Sequence, residues 1–189
     1  MLRFIHVAFV VAATAASGPL LALAIEPPPQ TEARNAALAQ SSSIDAVDED
    51  FLHRAAVGGL ADISLGRLAA SHATQADIKK FGATLANERG KLNDRLNELA
   101  AGQGWELPAD VDADNRAKID ALADKDGLEF NEVFADTVVA SQRTTIALFR
   151  ETAEQSRVAA VREFAEEALP VLERHLRMAE ALQREVAGR

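Results

Sequence analysis

Between Val158 and Val186 the apolar residues follow an unbroken alternation of three and four. Val158, Val161, Ala165, Ala168, Leu172, His175, Ala179, Leu182 and Val186 fall on one line, and Phe164, Leu169 and Leu176 widen it. That spacing predicts an amphipathic helix with one face buried. Its one polar member is His175. A polar group on a buried mid-helix position needs a partner from the helices opposite, so His175 raises the question of what faces it.

Three further segments carry the same period. The first runs from Phe51 to about Ser71, after Asp48, with Leu52, Ala55, Gly59, Asp62, Gly66 and Ala69 inward. Gly58, Gly59 and Gly66 weaken it as a helix, which the close approach of a neighbouring helix would explain. The second runs to about Ala101 with Thr74 as N-cap and Asp77 three residues on, and buries Ile78, Phe81, Leu85, Arg89, Leu92, Leu96 and Leu99. The third runs from Leu128 to about Gln155 and buries Phe130, Phe134, Val138, Gln142, Thr145 and Phe149. Pro170 predicts a kink in the fourth. Aromatics are 5% of the chain and Tyr is absent, so Leu, Ala and Val must fill the core, as in helical bundles.

The fold class is therefore all-α. Two or three residues join the first helix to the second and the third to the fourth, which makes each pair antiparallel. Residues 102 to 127 contain a short helix from about Ala113 to Ala123 and can span about 60 Å, enough to carry the chain back along the bundle. The prediction is a ferritin-like antiparallel four-helix bundle over 48–187 with a long middle crossover. An up-down-up-down bundle is the alternative, with the short helix folded over one end. The acids Asp110, Asp112 and Asp114 alternate as in a calcium loop, but Asn115 and Ala121 stand where Gly and Glu are needed, so helix capping accounts for them better.

Residues 1–24 have the three parts of a secretory signal peptide: Arg3, the apolar run Val7 to Ala16, and Ala22-Leu23-Ala24 before Ile25. Retention as an anchor through Phe4 to Leu23 is the alternative, against the interruption at Ser17-Gly18-Pro19. Residues 25–47, with Pro27-Pro28-Pro29 and Ser41-Ser42-Ser43, show no periodic apolar face and read as a flexible tether. The expected location is the periplasm or cell envelope, with no transmembrane span after cleavage. The formal charge of -9 argues against nucleic acid as a partner, and the lack of cysteine removes disulfides, thiolate metal sites and thiol catalysis. An envelope protein is a possible partner, and the oligomeric state is left open.

Asp62, Arg89 with neighbouring Glu88, Gln142 and His175 interrupt the four stripes near their midpoints. In a bundle of matched helices these midpoints share one level, so the side chains predict a single buried polar layer. Arg89 brings a permanent positive charge that pairs with Asp62 or Glu88 and repels a cation. The structural reading therefore expects no cofactor. The rival reading takes His175, Asp62 and Glu88 as ligands of one divalent metal ion, iron, zinc or manganese. Ferritin-like metal sites use Glu-x-x-His pairs, whereas Leu172 stands three residues before His175. No Ser-His-acid set or Gly-rich phosphate loop points to an enzyme.

The chain resembles the bacterial domain-of-unknown-function 4142 family of exported or outer-membrane proteins over about Phe51 to Leu182. The resemblance rests on Phe51, Ala55-Ala56, Gly58-Gly59-Leu60-Ala61-Asp62, Leu65 to Ala69, Phe81, Leu107-Pro108, Leu148-Phe149 and, above all, Leu169-Pro170-Val171-Leu172-Glu173-Arg174-His175-Leu176. It implies a ferritin-like fold. Many relatives carry an acid followed by His where this chain has Glu88-Arg89 and Ser141-Gln142. The functional expectation is an exported, non-enzymatic bundle serving as an envelope interaction or stress-related module, with a metal-binding bundle as the alternative.

Overall fold

The computed structural model describes residues 29–188. Among these residues there are five helices: α1 (Pro29–His72), α2 (Ala76–Gln103), α3 (Ala113–Ala123), α4 (Gly127–Gln155) and α5 (Ala159–Ala187). The expected signal peptide lies outside the described residues. The expected tether is helical from Pro29 onward, as the opening part of α1. Pro29 suits a first helical position, where its missing N–H is not needed, and the following Glu, Ala, Arg and Leu residues are strong helix formers. An apolar face is needed to pack a helix, but not to form one.

Each long helix buries the line that its period predicts. On α5 the buried set is Val161, Phe164, Ala165, Ala168, Leu172, His175, Ala179, Leu182 and Val186. The helix runs through Pro170, which is solvent-exposed, so water can serve the carbonyl its missing N–H would have bonded. Gly104 closes α2 with φ 75, a left-handed value that glycine takes without strain, and its N–H donates to the Ala101 carbonyl. Asp112 caps α3, its side chain accepting from the Asn115 N–H at 2.8 Å. Thr74, expected to cap α2, does not. Gln75 takes that place, and Thr74 Oγ1 accepts from Asn131 Nδ2 at 2.8 Å, tying the α1–α2 turn to the start of α4. A buried amide that needs partners has outbid the local cap.

α1 packs along α2 and α4, and α5 packs along the same two helices. Phe51 meets Phe149 and His72 meets Phe130, so α1 and α4 run antiparallel. Arg95 pairs with Glu167 and Glu88 with Arg174, so α2 and α5 do too. It follows that α2 and α4 are parallel, and the crossover carrying α3 travels the length of the bundle. This is the ferritin-like, one-crossover topology rather than up-down-up-down.

α1 and α2 touch backbone to backbone. A Cβ at Gly66 would stand 2.5 Å from the Gly82 carbonyl oxygen, and one at Gly59 would overlap the Asn93 side chain. Those two glycines have the predicted cause. Gly58 does not, since its nearest neighbour would be Thr145 Oγ1 at 3.9 Å, an ordinary contact. The apolar core falls into two clusters, one around Phe81, Phe130 and Phe134, the other around Phe51, Phe149 and Phe164. Polar residues lie between them.

Candidate functional site

Asp62, Arg89, Gln142 and His175 are each at most 2% exposed. Four helices bring them to one level because each stands on its helix's inner line near the middle. The Asp62 carboxylate on α1 is the hub. Gln142 Nε2 donates to its Oδ2 at 2.7 Å, and Ser141 Oγ donates to its Oδ1 at 2.9 Å. Arg89 Nε lies 2.9 Å from Oδ2, but its N–H is not aimed at that oxygen, so charge rather than a hydrogen bond holds this pair. At that separation and an effective dielectric near 20 the attraction is on the order of 6 kcal/mol, against a desolvation cost of several kcal/mol per ion.

His175 belongs to a second group at the α2–α5 side. Its Nε2 lies 2.5 Å from Glu88 Oε2, and Arg174 bonds the same oxygen from solvent. Burial pushes the His175 imidazole below 6.5, opposed by the Glu88 hydrogen bond. For Glu88 burial pushes upward, but hydrogen bonds from His175 and Arg174 outweigh it and hold the carboxyl below 4.5. Both shifts agree with a neutral imidazole whose Nε2–H donates to an ionised carboxylate. His175 Nδ1 then has no hydrogen-bond partner among the described residues, nor have Gln142 Oε1 and Arg89 Nη2. The Phe81 ring meets the imidazole edge-on, with centroids 6.3 Å apart.

Glu88 departs from the expected layer. Its side chain is 29% exposed, at the rim, because its place beside Arg89 turns it about 100° away from the inner line. Ser141 and Arg174, absent from the predicted set, complete the two groups. Each adjoins a predicted member in sequence, which was the only signal for them. Asn131, fully buried, gave no signal beyond its place next to Phe130. His53, well inside α1, and His72, at its end, are both exposed, with His72 stacking on Phe130.

The profile of the domain of unknown function (DUF4142) matches residues 32–182. The chain belongs to the DUF4142 family. Among solved structures, the crystal structure of a DUF305 protein from Streptomyces coelicolor, inferred to be secreted, superposes with a TM-score of 0.63 at 13% identity, covering 75% of this chain and 94% of that one. At that identity the likeness is one of fold. No curated protein matches the DUF4142 chain in sequence.

Ferritin-like bundles hold metals at this level, so the donors of the DUF4142 layer bear on whether a metal fits. Asp62 has both oxygens engaged and a guanidinium against it, while Glu88 faces His175 and Arg174. No cluster of three or more His, Cys, Asp or Glu side chains suited to a metal occurs among the described residues. The donor set does not fit a divalent ion. Nor is any described helix long and apolar enough to cross a membrane.

Proposed function

We propose that this DUF4142 domain is an exported, non-catalytic bundle that acts by binding in the periplasm or cell envelope, and that its polar layer holds four helices in one register. The observation that carries this reading is Arg89, a permanent cation buried against Asp62 where a ferritin-like bundle would place its metal. A buried ion pair with unpartnered neighbours adds little net stability, but it penalises every helix shift that would separate the charges. The signal-peptide pattern of residues 1–24 and the secreted character inferred for the DUF305 protein support export.

Elemental analysis of protein purified from its native compartment, wild type beside His175→Ala, tests this function. The expected result is no stoichiometric iron, zinc or manganese in either. Stoichiometric metal in the wild type that disappears with His175 would replace the structural reading with the metal one.

A further inference from the structure

The crossover leaves a long groove between α1, α3 and α4, with a volume of about 600 Å³. That is within the range of small-molecule sites, roughly 300 to 1,000 Å³. Its lining mixes the hydroxyls of Thr137, Ser141, Thr144 and Thr145 with apolar side chains. Thr145 on α4 is only 8% exposed, yet its hydroxyl has no hydrogen-bond partner among the described residues. On the same helix Thr144 bonds back to the Ala140 carbonyl and Thr152 to the Leu148 carbonyl. Thr145 instead opens on the groove, opposite Gly58. Gly58, like Gly90 of α2, is a mid-helix glycine that packing leaves unexplained, and here it keeps the groove wall bare.

The charges lining this groove favour an anion, although the chain carries -9 overall. Arg54 lies one turn before Gly58 on the same face, held only by a 3.4 Å contact to Asp50 between two largely exposed side chains. Lys118 reaches in from α3 with no ion-pair partner among the described residues. Against these two cations the lining sets one acid, Asp112, whose carboxylate caps α3. Beyond Gly58 the walls carry the apolar side chains of Ala61, Leu65 and Ile119, with Ser141 and Thr137 on the α4 side. Seven residues of helix separate Gly58 from Leu65, a length of about 10 Å.

We propose that this groove binds an amphipathic monocarboxylate with a short alkyl chain. The Thr145 hydroxyl donates to the carboxylate, Arg54 and Lys118 supply the charge, and the chain lies over Ala61, Leu65 and Ile119. The groove borders the polar layer at Ser141, but Thr145, Arg54 and Lys118 take no part in that layer, so the two readings can fail separately.

Octanoate titrated into the full chain, followed by calorimetry, tests the site, with 1-octanol as a neutral probe of the same length. Saturable one-to-one binding of octanoate is expected, with octanol clearly weaker. Thr145→Val keeps the shape and removes the donor, and should weaken octanoate about tenfold or more. Gly58→Leu should abolish binding with the helical circular dichroism intact; if it misfolds, Thr145→Val still decides. Absence of saturable binding to the wild type, equal affinity for octanol, or unchanged affinity in Thr145→Val would overturn the proposal.

Discussion

The polar layer and the groove lie side by side, and the bundle treats their polar groups in opposite ways. Asp62, itself fully buried, collects Ser141, Gln142 and the charge of Arg89. Thr145, one turn of α4 beyond Ser141, collects no hydrogen bond among the described residues. Saturation of a buried acid by side chains from two other helices marks a device for holding helices together. An unused donor facing open space marks a surface with something left to bind. The difference teaches that the most buried polar cluster of a bundle is not by default its working site, since burial with internal partners leaves no room for a ligand.

The largest effect should follow from opening the layer. Arg89→Ala leaves Asp62 buried without its counter-charge and should cost about 3 to 5 kcal/mol in urea unfolding. Thr145→Val in the groove should stay within about 0.5 kcal/mol of wild type. Next comes the α1–α2 contact: Gly66→Ala must push a Cβ against the Gly82 carbonyl and should cost about 1 to 3 kcal/mol. Gly58→Ala, free of that contact, should raise stability by about 0.5 to 1 kcal/mol.

The rim of the layer should respond to pH. His175 faces Glu88 and Arg89 on α2 and Asp62 on α1, beside its own neighbour Arg174, and its folded pKa lies below 6.5. Below 6.5 the unfolded chain therefore takes up a proton that the folded one refuses, so stability is complete above that pH and declines as pH falls toward the folded value. Glu88, also depressed, adds a second decline below 4.5. Unfolding measured from pH 8 to pH 4 should show the first decline in wild type and lose it in His175→Gln.

Much of this was legible beforehand, for a physical reason. Asp62, Arg89, Gln142 and His175 stand on stripes whose period is that of the helix itself, so their burial follows from their spacing. Glu88 is off its stripe by one residue and lies at the rim accordingly. What was not legible depends on rotamers and on distant partners. Thr145 reads as one more inner-face residue, and the sequence does not show that its hydroxyl, unlike that of Thr152, makes no bond back to its own helix. Gly58 reads like Gly59, although just one of them faces Asn93. Thr74 has the form of a cap until Asn131, far along the chain, claims it.

A double-mutant cycle on Asp62 and Arg89 tests most directly whether the layer is a structural pair. Urea unfolding of Asp62→Asn, Arg89→Met and the double variant gives their coupling. Each single change leaves a polar or charged group without its match, and the double removes both charges together. The account predicts that the double variant is no less stable than Arg89→Met alone, with a coupling of about 2 kcal/mol or more. Losses that simply add would contradict it, because two groups whose changes are independent cannot be the pair that holds the bundle in register.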